Sequence, residues 1–323
     1  LAIGVTPDTA LAKEAGLELG IKESIVVNDR METSVPDIYA AGDAVQVKHY
    51  VTGNDALISL AGPANKQGRI IADNICGGDS RYLGSQGSSV IKVFDMTAAT
   101  TGINETNAKK SGLEVDTVIL SPMSHAGYYP GGKVMTMKVV FEKETYRLLG
   151  AQIIGYEGVD KRIDVLATAI HAGLNATQLK DLDLAYAPPY SSAKDPVNMA
   201  GFMIDNIAKG TLKQWHLEDM DKISKDKDVV LLDVRTVGEF SRGHIDGFKN
   251  IPVDELRERI SEIEKGKPVY LICQSGLRSY IASRILEGNG YETYNFSGGF
   301  RFYDAVVNDR ALIERAYACG MDY

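Results

Sequence analysis

The sequence predicts an α/β chain with an α+β block in its middle and a doubly wound parallel sheet at its end. Three observations carry this. Beyond Leu217, strand-like and helix-like runs alternate with short links, the rhythm of βαβ units. Between Val90 and Gly155, β-rich runs crowd together, with helical patterns gathered mainly behind them. Of 323 residues, 44% are hydrophobic and 24% charged, which is enough apolar side chain for real cores and excludes disordered or collagen-like chains.

The elements follow in order. LAIGVTP (1–7) reads as the end of a buried strand; a domain seldom begins there, so the chain reads as the C-terminal part of something longer. Residues 25–27 and 37–41 read as short strands, the second delivering Gly42 and Asp43 to its carboxyl edge. Helical spacing runs from Asn54 to Asn74, interrupted by Gly62-Pro63 and closed by Gly77-Gly78. The runs 90–96, 115–122, 133–142 and 147–155 are strands, with KETY (143–146) as a hairpin turn. Helices are expected over Glu105–Ser111, Lys161–Ala172, Ala176–Asp181 and Pro196–Ala208. KGTLKQWH (209–216) reads as a linker. Past it come VVLLDV, a helix over DELRERISEIEK, then PVYLIC, a helix from Leu277, and TYNF. GNGYET (288–293) follows a helix and lacks a third glycine, so it is a helix cap and turn rather than a dinucleotide loop. Three domains result: 1–90, 91–210 and 217–323.

Charge and cysteine usage narrow the function. The net charge is −8, shared evenly: 19 acids face 15 bases from Leu217 onward. That balance argues against nucleic acid or an anionic membrane as partner, and no apolar run is long enough to cross a bilayer. The first residues resemble no secretory signal. Cys76, Cys273 and Cys319 are too few for a disulfide framework and form no metal-ligand spacing, so no metal is expected and the reading is cytoplasmic.

Cys273 carries the sharpest chemistry. The strand PVYLI ends at it, the loop Gln274, Ser275, Gly276 follows, and a helix begins near Leu277. Ligands of open α/β sheets sit at such strand ends. Successive loop amides and the helix start face the sulfur, and Arg278 adds positive charge; together they favour a nucleophilic thiolate over an inert core cysteine. With LLDVRTVGEFSRGHIDGFKNIPV (231–253) and FSGGF (296–300), this loop resembles the rhodanese (sulfurtransferase) family. The resemblance implies a persulfide on Cys273 cradled by the amides of Gln274 to Leu277, with Asp233 and Arg235 supporting the site. Four residues between Cys273 and Arg278 match the sulfur-handling members rather than the related phosphatases, whose loop is longer. His244 reads as structural, Cys76 as a structural helix-end residue and Cys319 as incidental.

In TSVPDIYAAGDA (33–44), Gly42 permits close approach of a ligand and Asp43 can accept hydrogen bonds from sugar-like hydroxyls; Asp43 as a mere turn former is the competing reading. With LAGPANKQGR (60–69), the segment resembles the C-terminal portion of the pyridine nucleotide–disulfide oxidoreductases. That resemblance implies FAD in the complete protein, its ribitol on Asp43 and its pyrimidine end at the helix start formed by Leu60, Ala61 and Pro63. It also makes 91–210 a dimerisation domain and the protein a homodimer. HAGYYPGG (125–132) and AYAPPYSSAKDPVNMAG (185–201) resemble coenzyme A–disulfide reductases fused to a rhodanese. In that group tyrosines of the partner subunit reach the active-site sulfur; Tyr128 and Tyr186 match best, and Tyr190 less closely. The resemblance implies NAD(P)H and coenzyme A as substrates, with small thiols and sulfane sulfur compounds as exchange partners. No G-x-G-x-x-G follows a strand, and none of the three cysteines matches the family's flavin-proximal one. An NADH oxidase or peroxidase on the same flavin fold, and a sulfur-carrier module without reductase activity, are the competing functions.

Overall fold

The computed structural model describes residues 5–318. Its first part is small. Helix α1 (Ala10–Glu14) leads to a three-stranded sheet of β1 (Ile25–Val26), β2 (Val45–Lys48) and β3 (Asp55–Leu57), and α2 (Ala61–Ile75) follows. Met31, Val45 and Val47 form its core, with Ile70 and Ile71 of α2 packed against them. Several expectations change here. Val5–Pro7 is irregular, and Leu1–Gly4 lie outside the described residues. Residues 37–41 are not a strand: Asp37 (φ 63°) and Gly42 (φ 87°) take left-handed backbone at either end, leaving one isolated bridge, Glu32–Tyr39. Gly42 and Asp43 therefore precede β2 instead of ending a strand. Residues 54–60 are not helical either, since 55–57 pair antiparallel with β2. Gly62-Pro63 interrupts nothing: it falls in the first turn of α2, where an N–H is not needed.

The middle part is a five-stranded antiparallel sheet in the order β4 (Ser89–Val93), β5 (Met96–Gly102), β8 (Leu148–Gly155), β7 (Thr136–Glu142), β6 (Val115–Leu120). Helices α3 (Glu105–Lys110), α4 (Val159–His171) and α5 (Pro196–Ala208) accompany it. Alternation along the first half of β7 and the second half of β8 makes that part of the sheet one-sided, while consecutive residues such as Val118–Leu120 of β6 are buried on both sides. Met137, Val139, Ala151 and Ile153 point into a core shared with Leu166 and Ile204, whereas Gln152 and Ile154 face out. Residues Ala176–Asp181 form a 3-10 helix rather than an α-helix.

The last part is a parallel sheet in the order β11 (Lys249–Asn250), β10 (Val230–Asp233), β12 (Val269–Ile272), β13 (Thr293–Phe296), β9 (Gln214–Trp215), with α6 (Met220–Ile223), α7 (Val237–Arg242), α8 (Leu277–Glu287) and α9 (Gly299–Ala318). Apolar clusters cover both faces: Leu256, Ala282 and Leu286 on one, Trp215, Phe248 and Phe296 on the other. The expected linker is partly structure. Its Gln214-Trp215 is the edge strand of this sheet, and Trp215 is buried against Phe296 at 4.5 Å between ring centres. Hence the unit begins before Leu217. The expected helix over 254–265 is a run of turns ending in a 3-10 helix, Ile260–Glu262. Turns with i→i+3 bonds, such as Leu256 N–H to Val253 O, bury Leu256 and Ile263 as well as a helix would.

Candidate functional site

The sheet's central strand β12 delivers Cys273 to its carboxyl end, and the residue is 1% exposed. Gly276 takes φ 99°, a backbone that L side chains resist, and this turns its N–H back onto the sulfur at 3.1 Å. The buried Ser279 hydroxyl lies 3.2 Å from the sulfur and 3.1 Å from the Gly276 carbonyl; its one proton serves either acceptor in turn. Helix α8 starts at Leu277, so its first amides and positive end lie at this loop. Beneath it, Arg235 donates from Nε to both Asp233 oxygens (3.1 and 2.9 Å) and from Nη2 to Oδ2 (2.6 Å) and the Gly243 carbonyl (2.8 Å). Both partners are buried, and the guanidinium lies 3.8 Å over the Phe300 ring. Phe300 N–H in turn holds the Cys273 carbonyl at 2.7 Å.

The Arg278 charge acts on Cys273 through space, without a direct bond. Its guanidinium is engaged by Glu239 in two bonds of 2.7 Å, and among the described hydrogen bonds none joins it to Cys273. The bonds from Arg278, with smaller help from Thr236, hold the Glu239 carboxyl down to about 2, and the same pair raises Arg278. Glu239 and Ser279 are residues that the sequence reading missed. Thr236-x-x-Glu239 is legible as a capping box, which the structure forms, but its reach to Arg278 depends on tertiary packing. A cleft of about 370 Å³ opens beside Gln274, between Arg235, Arg242 and Phe300.

The tyrosine segment stands on a second buried pair. Arg162, 1% exposed, donates from Nη2 to Asp195 Oδ2 (2.9 Å), Ser191 Oγ (3.1 Å), and the carbonyls of Ser124 (2.9 Å) and Tyr190 (3.3 Å). Asp195 also caps α5 through the Val197 amide at 3.0 Å. Ala126 N–H to the Ser191 carbonyl (3.0 Å) then joins the 125–132 and 185–195 loops. Tyr128 and Tyr186 are brought together, hydroxyl to hydroxyl at 2.9 Å, and both are exposed. That bond raises the Tyr186 phenol above its ordinary value. Tyr190, also exposed, lines with Tyr186 a crevice of about 450 Å³ that includes His125 and Lys161.

Gly42 and Asp43 are tied to α2. Gly42 N–H donates to Gln67 Oε1 at 2.7 Å, and Ser59 Oγ donates to the Asp43 carbonyl at 3.3 Å. The Asp43 carboxylate is exposed and accepts no hydrogen bond among the described residues. A Cβ added at Gly42 or Gly62 would meet no atom within 4 Å, so the space beside both is open. An unpartnered carboxylate beside a helix start with free amides fits a hydroxylated, partly anionic group such as a flavin's ribitol and pyrimidine. Leu60 precedes that helix start, which Ala61 and Pro63 form.

His244 stacks on Phe240 at 4.0 Å and shares its Nδ1 with the Phe240 carbonyl. Cys76 is exposed at the end of α2, and Cys319 lies outside the described residues. Gly288 caps α8 and Gly290 turns the chain toward β13. Among the described residues there is no His, Cys, Asp and Glu group that could hold a metal, and no helix is long and apolar enough to cross a membrane.

Residues 1–68 match the family model of the pyridine nucleotide-disulphide oxidoreductases, 88–196 match that family's dimerisation domain, and 216–305 match the rhodanese-like domain. The solved structure of reduced Bacillus anthracis CoADR-RHD superimposes with a TM-score of 0.93 at 48% identity, over 96% of this chain and 56% of that one. A NAD-dependent persulfide reductase from A. fulgidus gives 0.85 at 42% identity, over 94% and 55%. The NAD(P)H sulfur oxidoreductase (CoA-dependent) of Pyrococcus abyssi is 39% identical over 197 residues, 61% of this chain and 44% of that protein. The chain thus spans about half the length of the relatives it matches.

Proposed function

From the premise that the chain belongs to the pyridine nucleotide–disulphide oxidoreductase family and carries a rhodanese domain, we propose that the protein reduces coenzyme A disulfide, persulfide or polysulfide and passes sulfane sulfur through Cys273. The observation that carries this reading is a buried thiol at a parallel-strand end, with the Gly276 amide and the Ser279 hydroxyl aimed at its sulfur. The protein works as a cytoplasmic homodimer through its dimerisation domain, with NAD(P)H as electron source and neither metal nor nucleic acid as partner.

The Cys273 thiolate attacks the outer sulfur of a persulfide R–S–SH. The new bond gives Cys–S–SH, the old S–S bond breaks, and R–S⁻ departs with the electron pair. Gly276 N–H, Ser279 O–H and the start of α8 hold the anionic sulfur at each stage. A thiol such as coenzyme A takes the sulfur by the reverse exchange. Gly42, Asp43 and the helix start from Leu60 to Pro63 hold the flavin, which when bound supplies electrons from NAD(P)H to the disulfide or persulfide. Tyr128 and Tyr186 donate hydrogen bonds to the sulfur that leaves as thiolate, and Tyr190 shapes the crevice beside them. The fused rhodanese and the YAPPY tyrosines favour this over an NADH oxidase or peroxidase.

The test is transfer of sulfur from polysulfide to coenzyme A, read as coenzyme A persulfide. The chain catalyses it and Cys273→Ser does not; transfer retained in Cys273→Ser overturns the proposal.

A further inference from the structure

The edge strand β6 pairs only with β7, so every second residue sends its amide and carbonyl off the sheet. Two such groups are taken up by the parallel-sheet unit. Gln214 Nε2 donates to the Thr117 carbonyl at 2.7 Å, and Ile119 N–H donates to Ser297 Oγ at 3.1 Å. Asp116 strengthens the seam by accepting from Gln214 Nε2 at 3.2 Å and pairing with His216 Nε2 at 3.1 Å.

Ser297 is buried and stands directly ahead of the backbone that supports the sulfur loop. Gly298 and Gly299 both take left-handed backbone, φ 101° and 68°. A Cβ on Gly299 would lie 2.7 Å from the Gln274 carbonyl and from the Ser275 nitrogen, so glycine is required for this approach. The next two amides grip the loop: Phe300 N–H to Cys273 O at 2.7 Å and Arg301 N–H to Gln274 O at 3.2 Å. A continuous set of bonds therefore runs from the antiparallel sheet's edge to the carbonyl of the nucleophile.

We propose that Ser297 is a positioning residue for Cys273: anchored on the Ile119 amide, it fixes the 297–301 turn, so that the edge of the antiparallel sheet sets the geometry of the sulfur site. The inference rests on the reading of Cys273 as the sulfur carrier. A displaced turn would loosen the Gly276 and Ser279 bonds that favour the anionic sulfur, much as a lost supporting bond detunes a metal ligand.

The experiment is alkylation of Cys273 by iodoacetamide across pH in the full chain, mapped by mass spectrometry. Ser297→Ala slows the reaction at pH 7 by about tenfold and moves its pH profile upward by about one unit. Ser297→Thr keeps the hydroxyl and restores both. Asp116→Ala, on the other sheet, loosens the far end of the seam and slows alkylation by about two- to threefold. A wild-type profile in Ser297→Ala overturns the proposal, as does a Ser297→Thr variant as slow as Ser297→Ala. Should Ser297→Ala fail to fold, Asp116→Ala decides, and a wild-type rate there overturns it. Alkylation reads the thiol and not sulfur transfer. Transfer retained in Cys273→Ser would overturn the functional reading and leave this test standing.

Discussion

The sulfur loop and the tyrosine loop are each supported by a buried arginine–aspartate pair, yet the two pairs hold up different things. Asp233 and Arg235 underlie a thiol that is itself 1% exposed, with its hydrogen-bond donors drawn from its own loop and helix. Arg162 and Asp195 underlie phenols that stand in the open, Tyr128 at 76% exposure and Tyr186 at 45%, with each other's hydroxyl as the described partner. Arg235 holds the Gly243 carbonyl and reaches the sulfur loop through Phe300, whose amide holds the Cys273 carbonyl, whereas Arg162 holds its loop backbone directly, through the Ser124 and Tyr190 carbonyls. Only in the first does the chain also surround the side chain that the loop carries. The tyrosine loop leaves its two bonded hydroxyls in the open, and the Asp43 carboxylate is likewise exposed.

The largest effects come from breaking the two supports. Replacing Arg235 or Arg162 by Met strands a buried carboxylate, and each variant should lose about 3–5 kcal/mol in urea unfolding. The comparison becomes sharp when sulfur loading is measured on the folded fraction. Arg235→Met should stop loading of Cys273, and Arg162→Met should leave it at the wild-type rate. Equal loss in both would show that the two regions are one site.

A smaller effect separates the rim of the sulfur loop from its base. Glu239 is held to about 2 by Arg278, below its ordinary 4.5, so its contribution is full above pH 4.5 and fades as pH falls through about 2. At pH 7, Glu239→Gln should cost about 1 kcal/mol or less, as expected of a partly exposed pair. The gap in melting temperature between the variant and the wild type should close on acidification. A gap that widens in acid would contradict the assignment of the pair. The smallest effect is on the open side. Tyr128→Phe removes the bond that raises Tyr186, so the Tyr186 titration, followed by ultraviolet difference absorbance, should fall toward 10 with no change in melting temperature.

Legibility in the sequence follows the same division. The Cys273 loop is local, and strand, glycine and helix start lie within a few residues, so its architecture reads directly. Glu239 meets Arg278 at the end of that loop, and the Ile119 amide meets Ser297, each from a distant part of the chain, and no spacing announces either pairing. Helical spacing over 254–265 misleads because a run of turns buries Leu256 and Ile263 equally well. Trp215 reads as linker because a two-residue edge strand carries no periodicity; only its burial against Phe296 reveals it. At 37–41, apolar residues suggest a strand, and the left-handed Asp37 and Gly42 that cut it short are a matter of backbone rather than hydrophobicity.

The most direct test of the account is the mass of the full chain after brief treatment with polysulfide. Cys273 should gain about 32 Da, one sulfur, reversed by dithiothreitol and mapped to its loop peptide. Cys273→Ser should lose the gain, while Cys76→Ser and Cys319→Ser should keep it. An adduct that persists in Cys273→Ser, or that maps to Cys319, would contradict the claim that this loop carries the sulfur.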